Sequence, residues 1–289
     1  MLPIPSVLSA LVKTSVKING LVIPGRQIAK NLQRFCRPVC FYNEGTNYEL
    51  SWAGSSFLFK HRSHNLAAFT RHQLGTRPPN ECCIIIDRSE GGRVAVTPSE
   101  ATNIIYGADL GFAEDIQFVE YKSNTGRDLA GLFADIALEG LPDLRVVPKE
   151  QLVVIFAIGY PSDFTKYNFD FDDDFVPHNL EVIHGLSRLI LSNDWAVTEG
   201  MQFHLRLRQH EKYPETLENL DGFSGSPAFF CFMDPRFGMR LGFAGVVRLG
   251  GNGIVHLYEA AQMKRLLDLG WPKAGASVPK TAEEDGSVI

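Results

Sequence analysis

A chain of 289 residues with 28 Lys and Arg against 33 Asp and Glu carries a formal net charge of −5, which gives it no general attraction for a nucleic-acid backbone. Its apolar fraction of 45% and charged fraction of 21% are those of a folded globular protein with one large core or two small ones, and exclude a disordered or fibrous chain. No run reaches the ~18 apolar residues of a membrane span, so neither membrane nor nucleic acid is expected as a partner.

The N-terminal MLPIPSVLSALVKTSVKING has two early prolines and no basic opening, which does not fit a secretory signal. Residues 1–40 are expected to form an extension. Within it GRQIAKNLQRF places Ile28, Leu32 and Phe35 on one helical face after Pro24-Gly25. From residue 41 onward short apolar stretches alternate with turn residues: SSFLF, NLAAFT, CCIII, RVAVT, IQFVEY, LRVVP, QLVVIFAIGYP, MQFHLRLR, PAFFCF, FAGVVRL and GIVHL. Many short strands with frequent turns predict a sandwich or barrel architecture. In FHLRLRQH, Arg206 and Arg208 alternate with leucines, as on the solvent face of a strand. The segment YEAAQMKRLLDLG predicts a C-terminal helix that stops at Gly270 before Pro272. The tail, 273–289, lacks apolar periodicity and is expected to be disordered.

Two features suggest metal or redox chemistry and are read otherwise. In DFDDDFVPHNLE, Asp170, Asp172, Asp174 and Glu181 fall at the first, third, fifth and twelfth positions of a calcium loop. Phe175 stands where the sharp turn needs glycine, and Pro177 follows, so a solvated loop is expected and no metal. The cysteines, Cys36, Cys40, Cys82, Cys83 and Cys231, are odd in number and lack zinc spacing. They read as reduced structural thiols, which points to a cytoplasmic location. No cofactor is expected.

Three stretches carry the chemistry. In NLAAFTRHQL an apolar strand ends at His72; in FADIAL, Asp135 opens an apolar run; in DGFSGSPAFF two glycines flank Ser224. A serine hydroxyl attacks only when an imidazole takes its proton, and the imidazole needs a carboxylate to fix its tautomer and stabilise its charged form. Gly222 lets the backbone turn so that its N–H and that of Ser224 can form an oxyanion hole. His61 and His64 compete with His72, and Asp128 in GRDLAGL competes with Asp135, but DIAL is the closer fit to an acid block.

FTRHQL, DIAL and GFSGSPAF, together with AIGYP (157–161) and FAGVVRLGG (243–251), stand in the order of the motifs of the chymotrypsin/trypsin-like serine peptidases, which this chain resembles. The resemblance is to a member of bacterial, intracellular type without disulfides. It implies an all-β fold of two packed antiparallel Greek-key β-barrels, 41–150 and 151–272, with a partly helical N-terminal extension and a C-terminal helix. It further implies a triad of His72, Asp135 and Ser224 between the barrels, with Gly222 and Ser224 as oxyanion donors. Glu218 falls at the floor of the primary pocket, where a carboxylate favours Lys or Arg, and Gly250 and Gly253 match the residues that keep that pocket open. Three residues depart from the family pattern. Phe223 stands where zymogens carry Asp, Gln73 where secreted members carry a bridged Cys, and Arg248 where small residues are usual, so that it narrows a subsite or meets an acidic substrate group. The implied function is a serine endopeptidase acting on protein or peptide substrates, and an intracellular peptidase needs restraint, which leaves a place for a regulatory partner. The alternative is a catalytically inactive module of the same fold that binds peptides or a protein partner.

Overall fold

The computed structural model describes residues 14–18, 20–43, 50–87, 93–98, 100–102, 115–122, 129–135, 138–171, 177–199, 201–211, 217 and 219–272. The chain opens with a hairpin, β1 (Ser15–Ile18) and β2 (Leu21–Pro24), a 3₁₀ turn and a short helix α1 (Ile28–Gln33). The first sheet uses β3 (Cys36–Tyr42), β4 (Leu50–His61), β5 (His64–Thr70), β6 (Cys82–Asp87), β7 (Arg93–Val96), β8 (Glu100–Thr102) and β9 (Ile116–Glu120). Then come β10 (Leu152–Gly159), a separate hairpin of β11 (Thr165–Phe171) and β12 (Pro177–His184), β13 (Ser187–Leu191), β14 (Ala196–Thr198), β15 (Met201–Arg208), β16 (Pro227–Asp234), β17 (Gly238–Gly251), β18 (Ile254–Glu259) and helix α2 (Ala260–Gly270). Two seven-stranded antiparallel sheets result, ordered β7-β6-β3-β4-β5-β9-β8 and β13-β10-β16-β17-β18-β15-β14.

Strand alternation explains how the sheets close and pack. In β4, Leu58 faces a cluster built with Ala67, Phe69, Cys82, Ile84 and Val119 of its own sheet. Its neighbours Phe57 and Phe59 face the opposite way, into a cluster shared with Phe156, Ile158, Phe229 and Phe243 of the second sheet. In β10 and β16 the same split puts Ile155, Ala157, Ala228 and Phe230 inside the second sheet. Each inner cluster draws its strands from one sheet alone, so each sheet curls around its own core, and the fold is two packed β-barrels. Strands buried on both faces read as unbroken apolar runs rather than alternating ones, hence SSFLF and PAFFCF.

Phe57, Phe229 and Phe243 meet at the seam, with ring centroids 5.4–5.6 Å apart. Each such buried ring contributes on the order of 1.5–3 kcal/mol. The same seam takes Val16, Ile18, Ile28, Leu32 and Phe35 from the N-terminal segment and Met263, Leu266, Leu267 and Trp271 from the C-terminal end. Residues 36–40, expected in the extension, form the first part of β3. The flanks of the acidic segment, expected as a loop, pair as β11 and β12, with Asn168 opposite Glu181 and Asp170 opposite Asn179, while residues 172–176 between them lie outside those described. The tail 273–289 also lies outside them.

Candidate active site

The histidine is delivered by β5. The strand ends at Thr70, and the following 3₁₀ turn Arg71–Leu74 carries His72. β9 pairs with β5 so that Ile116 lies opposite Thr70, which sets the preceding residue, Asp115, level with the turn. Both Asp115 oxygens lie 3.0 Å from His72 Nδ1, and Oδ1 also accepts the His72 backbone N–H at 3.0 Å. His72 is half exposed (48%) while Asp115 keeps only 19% of its surface. Burial works against the Asp115 charge, but the hydrogen bonds from His72, with the charges of His72 and Arg248, outweigh it and hold the carboxyl below its ordinary value.

The expected acid, Asp135, is not on this histidine. It follows Ala134, which bridges to Phe59 and exchanges hydrogen bonds with Leu58 and Lys60 near the C-terminal end of β4. Phe59 pairs with Leu66, six residues before His72, and Asp135 itself is exposed. The carboxylate beside the imidazole is therefore Asp115. Asp128 lies outside the described residues. His61 and His64 pair at the opposite end of β5, where His64 Nδ1 meets Glu120 Oε1 at 2.9 Å.

Ser224 sits on the turn before β16. Gly222 has φ +88° and Gly225 φ +85°, a backbone region that L side chains avoid. A Cβ on Gly225 would lie 1.9 Å from Ser55 O, and one on Gly222 2.3 Å from Tyr160 O. Ser55 of β4 clamps the turn from the first barrel: its N–H donates to Ser224 O at 3.0 Å and its hydroxyl to Gly222 O at 2.7 Å. Gly225 N–H donates to Val247 O at 2.8 Å, and Phe223 buries its ring in the second barrel. Among the described residues, neither the Gly222 nor the Ser224 N–H has an acceptor, as a pair aimed at an external oxygen requires.

Gln73 joins the two halves. Its Nε2 donates to Ser224 O at 2.8 Å and to Ser55 O at 3.1 Å, while its Oε1 accepts the Thr70 N–H at 2.8 Å. Gly54 makes room, since a Cβ there would fall 2.2 Å from Gln73 Nε2. An amide thus cross-links the histidine turn to the serine turn. Gln73→Ala is expected to cost about 2–4 kcal/mol by stranding buried backbone groups, lowering the melting temperature by roughly 5–15 °C. A calorimetric scan showing no shift would reject this cross-link.

Arg248 completes the cluster. Its Nε donates to Asp115 Oδ2 at 3.1 Å, and its carbonyl accepts the Ser224 hydroxyl at 3.1 Å. The side chain expected at a substrate subsite therefore lies on the acid. His72 Nε2 is 3.3 Å from Thr70 Oγ1, and no hydrogen bond joins it to Ser224 among the described residues. Of the other pocket residues, Gly250 packs against Leu220, where a Cβ would come within 2.9 Å. Gly253, φ +69°, closes the β17–β18 turn beside Asn252 with open space around it, so it serves the hairpin rather than a pocket wall. Glu218 lies outside the described residues.

The thiols offer no rival nucleophile. All five are buried and free, and burial pushes Cys83 up to about 11 and Cys40, Cys82 and Cys231 to about 12, so thiolate is scarce at neutral pH. Among the described residues no three metal-ligating side chains gather, and no helix is long and apolar enough to cross a membrane.

The fold is two packed antiparallel β-barrels, with the histidine turn on the first and the serine turn on the second. No family model and no curated protein matches the sequence. Among solved structures, the chain is similar to the scabies mite inactivated protease paralogue S-D1, with 13% identity, coverage of 81% of this chain and 91% of that one, and a TM-score of 0.46. The inactivation is a property of that protein, and the chemistry of this chain is read from its own residues.

Proposed function

We propose that this protein is a serine endopeptidase in which Ser224 is the nucleophile, His72 the general base and Asp115 the orienting carboxylate. The observation that carries the reading is the His72–Asp115 pair held beside Ser224, with two unengaged amides on the serine turn. Ser224 Oγ attacks the scissile carbonyl carbon as its proton passes to His72 Nε2, and Asp115 stabilises the imidazolium. The tetrahedral oxyanion takes hydrogen bonds from the Gly222 and Ser224 N–H groups. On collapse the C–N bond breaks and the amine leaves with the proton from His72. Water, deprotonated by His72, then releases the acyl group from Ser224. For attack, Ser224 Oγ has to leave Arg248 O and His72 Nε2 has to leave Thr70 Oγ1, side-chain rearrangements of the kind that substrate binding completes. Protein or peptide substrates and a cytoplasmic setting belong to this proposal.

The second reading, an inactive binding module on the same barrels, is favoured by one observation: the Ser224 hydroxyl is bonded to a carbonyl instead of the imidazole. A fluorophosphonate probe separates the two. The proposal expects labelling at Ser224 alone, abolished in His72→Ala. Wild-type protein that stays unlabelled under saturating probe favours the binding module.

A further inference from the structure

Outward from Ser224 the second barrel changes character. In β15 and β18, Leu205, Leu207, Val255 and Leu257 face the barrel interior, so the intervening residues occupy the opposite face. Pairing puts Arg206 opposite His256 and His204 opposite Tyr258. Leu249, next to Arg248, lies opposite His256, and the Val247–Leu249 irregularity places Arg248 at a bulge in the neighbouring β17. The backbone of Arg248 is the acceptor of the Ser224 hydroxyl. Two guanidinium groups and two imidazoles are thereby gathered on one face, starting at the nucleophile.

These groups feel one another. His204, with no exposed surface, is pushed down to about 4, by burial first and then by the charges of Arg248 and His256, with Asp115 opposing. His256 is likewise lowered, by burial first and then by Arg206 and Arg248. Both rings are therefore neutral at physiological pH. His256, partly exposed, offers an N–H donor, His204 lies beneath it against Tyr258, and the arginines supply the charge. His256 Nδ1 is fixed by Thr198 Oγ1 at 3.1 Å, which leaves the Nε2 side of the ring for another partner. Asp115, the carboxylate coupled to this group, is already held by His72 and Arg248.

We propose that this face, formed by Arg206 and His256 over the buried His204, with Arg248 at its inner edge, is a subsite that selects an Asp or Glu side chain of the substrate. The inference rests on Ser224 marking the reacting centre. A carboxylate suits the site because a guanidinium fork presents parallel donors to two oxygens and a neutral imidazole adds a donor without needing a proton from solvent. A Lys side chain meets like charge there instead.

Binding, measured apart from turnover, tests it. The non-cleaving Ser224→Ala chain is titrated with fluorescent blocked hexapeptides identical except for Glu, Gln or Lys at one position, and anisotropy is read. The Glu peptide is expected to bind roughly tenfold to a hundredfold more tightly than the Lys peptide. Arg206→Glu, a change at an exposed position, is expected to reverse the order. Equal binding of all three peptides, tighter binding of the Lys peptide, or a Glu preference unchanged in Arg206→Glu overturns the subsite. Fluorophosphonate labelling of the wild type is scored separately: a Glu preference in an unlabelled protein upholds the subsite and removes the catalytic reading alone.

Discussion

Ser224→Ala is expected to abolish peptide-bond cleavage, with turnover falling on the order of 10⁴–10⁶-fold, while the fold persists. Persistence follows from what the side chain does. Its hydroxyl makes one hydrogen bond, to Arg248 O, whereas the turn is held through the Ser224 carbonyl by Ser55 and Gln73. An alanine keeps every backbone contact and loses only the oxygen that attacks. Circular dichroism and thermal denaturation matching wild type, with the cleavage rate at background, is the expected pair of results. An alanine variant that still cleaves would falsify the nucleophile.

The second large effect distinguishes two aspartates. Asp115→Asn is expected to lower kcat on the order of 10⁴-fold, because an amide in place of the carboxylate no longer fixes the proton on His72 Nδ1 nor balances the imidazolium. Asp135→Asn is expected to leave kcat near wild type, since Asp135 lies beside the C-terminal end of β4, at the end of the β4–β5 hairpin remote from the histidine. A kcat loss in Asp135→Asn comparable to that in Asp115→Asn would sink the assignment. The same carboxylate links the site to stability. Its folded pKa is held below the unfolded one, so its ion-pair contribution is complete above the ordinary carboxylate value and disappears as pH falls through the folded value. In wild type, thermal stability should therefore decline on acidification more steeply than in Asp115→Asn.

His72 and Ser224 were identifiable as candidates in the sequence because each sits in a local motif: a strand ending at the histidine, and a glycine-flanked turn entering an apolar run. Asp115 was not, although IQFVEY was recognised as a strand, because its role is set one residue before that strand by the β5–β9 register. EDIQF and ADIAL carry the same Asp-Ile-x-apolar pattern, and only three-dimensional pairing chooses between them. Gln73 was noticed as a departure, but its three bonds join backbone groups from distant segments and leave no sequence signal. For Arg248 the sequence gives a position in β17 but not its partner, because Asp115 is 133 residues away.

The barrel strands were legible for a simple reason. Burial on both faces makes them dense apolar runs, as in β10 and β16. Two hairpins escaped. In SVKINGLVIP the Asn-Gly pair between apolar runs was a turn signal of the I′ type. In TKYNFDF polar and aromatic residues alternate with the period of a strand, but the run of aspartates that follows reads as a solvated loop.

The N-terminal strap has a consequence for control of the molecule. Val16, Ile18, Ile28, Leu32 and Phe35 are wedged into the apolar joint where both barrels meet, so this stretch is a structural member and not a removable plug. Clipping it away would open that joint to water instead of releasing a waiting enzyme.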